Sequence, residues 1–139
     1  MSSNAKSPSD RLPNVQLDRT LVNRLETLAS SVLRRSPEIG ERLIDEIARA
    51  DLVAPDDLGD DVVTLGSEVT YRDLHTGKAQ TVTLVYPEEA DIGRNRISVL
   101  TPIGVALLGL REGAMISWTM RTAETRQLEV ASVSPPASE

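Results

Sequence analysis

Few residues in this chain could do covalent or metal chemistry, and their spacing excludes most reactions. There is one histidine, His75, and no cysteine, so thiol nucleophiles, disulfides, thiolate zinc sites and multi-histidine centres are all ruled out. His75 lies within Leu74-His75-Thr76-Gly77-Lys78, a hairpin-tip sequence with no nucleophile beside it. A solvated tip residue is expected there, not a general base. Carboxylates cluster twice, as Asp56, Asp57, Asp60 and Asp61 and again as Glu88, Glu89 and Asp91. Such oxygen ligands suit Mg²⁺ or Ca²⁺, but neither run has the loop spacing or the closing bidentate Glu of an EF-hand. Both are expected to be solvated loop charge. No phosphate-cradling glycine loop and no G-x-S-x-G elbow occurs. The expectation is a protein that is not an enzyme and needs neither cofactor nor metal.

Composition narrows the partners. Lys and Arg number 15 and Asp and Glu 21, a net charge of −6, which argues against coating nucleic acid or direct sequence-specific DNA binding. Aromatic residues are only 2%, namely Tyr71, Tyr86 and Trp118, too few for base-stacking platforms or aromatic-walled pockets. Hydrophobic residues at 40% still support a packed core within 139 residues. No apolar run is long enough to cross a membrane, and the opening residues lack the apolar stretch of an export signal. A cytoplasmic monomer is expected.

The elements that must position any site follow from periodicity. Residues 1–14 and 134–139 read as a disordered leader and tail. Within 15–53, Leu17, Leu21, Leu25, Leu28 and Val32 form the stripe of an amphipathic helix with Asp18 as N-cap. The pattern breaks at Arg34-Arg35-Ser36-Pro37. Ser36 then reads as a second N-cap with Pro37 in the first turn, and Ile39, Leu43, Ile47 and Ala50 continue a second stripe. The short connection predicts an antiparallel helical hairpin, a short coiled coil, reaching roughly 20–24 Å at 1.5 Å per residue. Residues 54–61 read as an acidic hinge.

Beyond it the period falls to two. Strands are predicted at 63–65, 68–73, 79–86, 96–100, 114–120 and 124–133, with Gly77 turning a hairpin and Arg121-Thr122-Ala123 joining the last pair. Thr101 caps a short helix through Leu108, with Pro102 at its first position and Gly109 as the stop. The fold class is α+β: a helical hairpin followed by a small antiparallel sheet with one short helix.

Two features are candidates for binding. Arg34 and Arg35 either complement the negative end of the first helix or present a basic tip to an acidic group. Pro102, Ile103, Val105, Leu107 and Leu108 either all pack on the sheet, or Leu100, Pro102 and Ile103 leave an apolar corner exposed for a partner.

Three stretches carry a family resemblance. Gly66-Ser67-Glu68-Val69-Thr70-Tyr71-Arg72-Asp73 followed by Thr76-Gly77, then Tyr86-Pro87-Glu88-Glu89-Ala90-Asp91, and most clearly Ile97-Ser98-Val99-Leu100-Thr101-Pro102-Ile103-Gly104-Val105-Ala106-Leu107-Leu108-Gly109 resemble the C-terminal domain of the Gre transcript-cleavage factors. The short hairpin and the Val53-Ala54-Pro55-Asp56-Asp57-Leu58 connection are similar to a Gre-related branch, the regulators of nucleoside diphosphate kinase. The resemblance implies that residues 62–133 form an FK506-binding-protein-like (FKBP-like) domain. It also implies docking on bacterial RNA polymerase at the rim of the secondary channel, through Leu100, Thr101, Pro102 and Ile103. The hairpin would point into the channel with Arg34, Arg35 and Glu38 at its tip. Gre factors carry an acidic pair on a longer coiled coil, whereas here Glu38 and Glu41 lie inside the second helix, so transcript cleavage is not expected. Thr101 and Pro102 match the family's Ser-Pro; Leu100 replaces an Asp or Asn common there. Prolyl isomerisation, which the fold alone could imply, requires an aromatic-walled pocket that this composition excludes. A direct action on nucleoside diphosphate kinase is the alternative.

Overall fold

A computed structural model describes residues 14–119 and 125–136. The bulk of the predicted leader, the Arg121-Thr122-Ala123 connection and the last three residues of the tail lie outside the described residues.

The described residues open with a strand rather than a helix. Gln16–Asp18 (β1) leads through a single 3-10 turn into α1, Val22–Val32, and α2 follows as Pro37–Arg49. Leu17 was predicted as the first residue of the helical stripe; it is instead a buried strand residue, because a strand directly before a helix can supply the same apolar spacing. Asp18 does cap, its side chain accepting from the Thr20 N–H at 2.9 Å, but it caps the 3-10 turn. Ser36 makes no side-chain cap bond. Its backbone carbonyl accepts from the Ile39 and Gly40 N–H groups at 3.1 and 3.0 Å instead. The helices are shorter than expected, 11 and 13 residues, or about 17 and 20 Å. They bury Leu25, Ala29 and Val32 of α1, and Gly40, Leu43 and Ile47 of α2. Glu46 is buried as well, paired with Arg49 at 2.8 Å and Arg42 at 3.8 Å.

After α2, Asp51–Val53 (β2) pairs in parallel with β1, so the strands before and after the two helices lie side by side. Then come β3 (Glu68–Asp73), β4 (Ala79–Val85), β5 (Arg96–Ser98), α3 (Pro102–Leu107), β6 (Met115–Thr119) and β7 (Thr125–Ser134). These strands form one sheet in the order β5-β4-β3-β7-β6. The sheet is mixed, not wholly antiparallel: β5 runs parallel to β4, because the segment between them doubles back through two 3-10 turns to lie beside Thr83, so that β5 pairs with the last three residues of β4. Residues 63–65 are not a strand. Val62 and Val63 are buried, and Val63 exchanges backbone bonds with Leu110 and Gly109 at 2.8 Å each. Ser134, assigned to the tail, is the last residue of β7 and pairs with Glu68.

A single hydrophobic cluster runs through the molecule. Leu25, Ala29, Leu43 and Ile47 from the helices meet Val69, Val82, Leu84, Leu128 and Val130 from the sheet and Val105 and Leu107 from α3. The junction is tight at Gly109. Its φ is +84°, it accepts from the Gln16 N–H at 3.1 Å, and any Cβ there would overlap the Val15 side chain. Gly113 shares the positive φ but has open space around it.

Comparing these two glycines isolates the junction. Gly113→Ala is expected to cost about 1–2 kcal/mol from backbone strain alone, and Gly109→Ala about 2–5 kcal/mol from strain plus overpacking. Urea denaturation followed by far-ultraviolet circular dichroism checks this; equal losses at both positions would contradict it.

Candidate functional site

The sheet ends at a corner whose geometry follows from three adjacent residues. Ser98, last in β5, accepts through its hydroxyl from the Leu100 N–H at 2.9 Å, which turns the chain at once. Its carbonyl accepts from the Thr101 hydroxyl at 2.8 Å and the Thr101 N–H at 3.2 Å. The Thr101 oxygen in turn accepts from the Gly104 N–H at 3.0 Å, capping α3. Pro102 then occupies the first turn, where its missing N–H costs nothing.

Each predicted residue can now be placed. Val105, Leu107 and Leu108 are buried, Leu100 and Ile103 are half-buried against the core, Thr101 is half-buried in its own hydrogen bonds, and Pro102 is exposed. Of the two readings of this apolar segment, packing holds for the helix body and exposure for Pro102. The result is a rigid prow with one apolar ring at its front and two partly covered aliphatic chains behind it.

One neighbour of the corner escapes sequence reasoning. The Val99 N–H donates to the Val85 carbonyl at 2.9 Å, so Tyr86 and Leu100 leave the same end of the β4–β5 pair. The Tyr86 ring is half-buried, and the Arg24 guanidinium of α1 lies over it at 3.6 Å from the ring centroid while also pairing with Glu88. Burial pushes the Tyr86 hydroxyl above its ordinary range; Arg24 opposes this, and Glu88, Asp18 and Glu89 add to it. Helix α1 is thereby fastened to the shoulder of the corner. Only the aromatic and the acids were visible in the sequence.

Arg34 and Arg35 are exposed in the turn between α1 and α2, and Glu38 is exposed in the first turn of α2. This tip stands at the end of the helix pair remote from β1 and β2. His75 is exposed at the β3–β4 turn. Asp73 shapes that turn by accepting from the His75 and Thr76 N–H groups at 2.8 and 3.3 Å and from Arg126 at 2.5 Å. Burial alone would raise the Asp73 carboxyl, but these donors together hold it below the usual carboxylate range. Asp56, Asp57 and Asp60 are exposed; Asp61 faces Arg111 at 4.0 Å and Asp91 faces Arg94 at 3.7 Å. Among the described residues, no three His, Cys, Asp or Glu side chains are grouped closely enough to hold a metal ion, and no helix is long and apolar enough to cross a membrane.

Residues 58–135, more than half of the chain, match the family model described as transcription elongation factor, GreA/GreB, C-terminal. The chain belongs to the GreA/GreB family. Among its relatives is the regulator of nucleoside diphosphate kinase of Escherichia coli K12, 35% identical over 115 residues, spanning 79% of this chain and 85% of that protein. The transcription elongation factor GreA of Hyphomonas neptunium is 42% identical over 71 residues, 51% of this chain and 45% of its own length. A solved structure from Nitrosomonas europaea, titled a prokaryotic transcription elongation factor GreA/GreB, superimposes with a TM-score of 0.69 at 31% identity, covering 88% of this chain and 98% of that one. The family is one of regulatory factors, and the motifs around residues 66–73, 86–91 and 97–104 all fall inside the matched GreA/GreB segment.

The corner's parts separate on mutation. Thr101→Ala, which removes the cap of α3, is expected to cost about 0.5–2 kcal/mol. Pro102→Ala, at an exposed position, is expected to stay within about 0.5 kcal/mol of the wild type. Chemical denaturation of both variants measures this, and a large loss from Pro102→Ala would mean that the ring is structural.

Proposed function

We propose that this protein is a non-catalytic regulator that binds bacterial RNA polymerase at the rim of the secondary channel and competes there with Gre-type factors. In this reading β3–β7 with α3 form an FKBP-like docking domain, and α1 and α2 form an antiparallel helical hairpin, a short coiled coil directed into the channel. The observation that carries the proposal is the corner itself. A GreA/GreB-family chain presents an exposed Pro102, flanked by Leu100, Thr101 and Ile103, on a turn locked by the Ser98–Thr101–Gly104 bonds. A preorganised apolar prow loses little conformational entropy on docking, which favours affinity.

The helix pair supports occupancy without cleavage. Metal-assisted phosphodiester cleavage needs carboxylate oxygens placed to hold Mg²⁺. The tip here offers Arg34 and Arg35, with Glu38 displaced onto the first turn of α2. Arms of about 17 and 20 Å set its reach. Guanidinium groups at that position suit contacts with acidic side chains or phosphate within the channel mouth. A cytoplasmic location goes with this reading, because the partner is there. The second reading, direct action on nucleoside diphosphate kinase, is favoured by the printed name of the 35% identical Escherichia coli relative. That effect can equally arise through transcription.

Pull-down on bacterial core polymerase tests the first reading. The wild type is expected to bind and to be displaced by excess GreA. The Thr101→Ala, Pro102→Ala double variant is expected to bind at least about tenfold more weakly, which corresponds to about 1.4 kcal/mol. Added to backtracked elongation complexes, the protein is expected to produce no shortened transcripts. Absence of wild-type binding, together with a stable complex with purified nucleoside diphosphate kinase on gel filtration, would replace this reading with the second.

A further inference from the structure

The two edges of the five-stranded sheet are finished differently. At β5, Asp91 lies alongside Arg96 and exchanges two backbone hydrogen bonds with it, 2.9 and 3.0 Å, so the chain covers its own edge. β5 is also only three residues long. At β6 no such cover exists among the described residues. Val130 N–H donates to the Ala114 carbonyl at 2.9 Å. Alternation along an antiparallel ladder then turns the backbone groups of Ile116 and Trp118 toward β7, and those of Met115, Ser117 and Thr119 outward. Natural edges are ordinarily guarded by charge, proline or a bulge. Met115-Ile116-Ser117-Trp118-Thr119 carries no charge and no proline, and the glycine bulge at Gly113-Ala114, where both residues bond to Val130, ends before Met115 and leaves the register of the strand itself with β7 continuous. Met115 is 60% exposed.

We propose that β6 is a self-association edge: it pairs antiparallel with β6 of a second copy of this chain about a twofold axis at Ser117. Such pairing is isologous and closes on itself. It sets Ser117 opposite Ser117, Met115 opposite Thr119 and Ile116 opposite Trp118, so no like charges face each other. On a chain of net charge −6, this strand brings no charge of its own to the contact. The sheet order places β6 at the opposite edge from β5, which leaves the Ser98–Ile103 corner of each copy outside the joined sheet. A five-residue strand pair is small beside the roughly 1,200–2,000 Å² of stable interfaces. Association therefore belongs to high concentration, and the monomer expected from the sequence is the dilute form.

Sedimentation equilibrium of the full chain from micromolar to millimolar concentration tests this. The weight-average mass is expected to climb from 15.1 kDa toward twice that value. Ser117→Lys, which places a charge on the edge, is expected to hold it at the monomer mass. Because the chain has no cysteine, Ser117→Cys supplies a single thiol for a short bismaleimide. That variant is expected to cross-link into dimers, whereas Lys78→Cys, at the β3–β4 turn, is not. This second test stands even if Ser117→Lys folds poorly. A flat mass for the wild type, unchanged association in folded Ser117→Lys, or equal cross-linking of the two thiol variants would each overturn the proposal.

Discussion

The parallel contact between β1 and β2 is the constraint on which the rest of the molecule depends. Gln16 and Asp51 bring together the chain entering α1 and the chain leaving α2. The Asp51 N–H donates to the Val15 carbonyl at 2.9 Å, and the Gln16 N–H donates to Gly109 just past α3. The Gln16 side chain also accepts from the Gly59 N–H at 3.1 Å, which ties down the acidic segment. Both helices are therefore rooted at their base in the β1–β2 pair and the turn after α3. Arg24 adds a second fastening through Tyr86 and Glu88, part-way along α1. With base and flank both held, the tip has a defined height above the sheet. Val15 and Leu17 are buried at this base, and Gly109 approaches Val15 too closely to carry a side chain.

That geometry divides the surface into two parts with different chemistry. The corner is apolar and preorganised, with acids and a stacked guanidinium on its shoulder. The tip is polar, with two arginines exposed in a four-residue turn. In the proposed reading the corner is the anchor and the short, arginine-bearing tip occupies a site rather than acting on its metal. Burial reinforces the division. The core cluster runs continuously from Leu25 and Leu43 to Val130 and Leu128, so the helices and sheet are one packed body and not two domains on a flexible joint.

Legibility in the sequence tracks the range of the interactions involved. Local signals read well: the Leu25, Val32, Leu43 and Ile47 stripes, the Thr101 cap with Pro102 behind it, and the turn at Gly77, whose φ is +77°. Each depends on residues within one turn of its neighbour. Signals carried by distant pairing do not read. β1 and β2 are three residues long and have no periodicity to detect, so Leu17 is drawn into the helix and the clamp is invisible. The parallel placement of β5 depends on a loop that doubles back, and 63–65 imitates a strand because Val63 and Thr64 there are buried. Arg24 and Glu88 are 64 residues apart. At the candidate site, the proline's place and its cap are legible, its exposure is one of two readings the sequence leaves open, and the arginine that stacks on its shoulder is not legible.

The most direct test is to map where the tip lies when the protein sits on polymerase. Because the chain has no cysteine, Arg35→Cys accepts a single tethered iron chelate, and the hydroxyl radicals it generates cut polypeptide only nearby. With the base clamped and the arms short, cuts are predicted in the outer walls of the secondary channel and nowhere at the catalytic centre. Cuts among the residues that hold the catalytic metal, or a pattern no different from free reagent, would contradict a short, rigid probe carried by the docking corner.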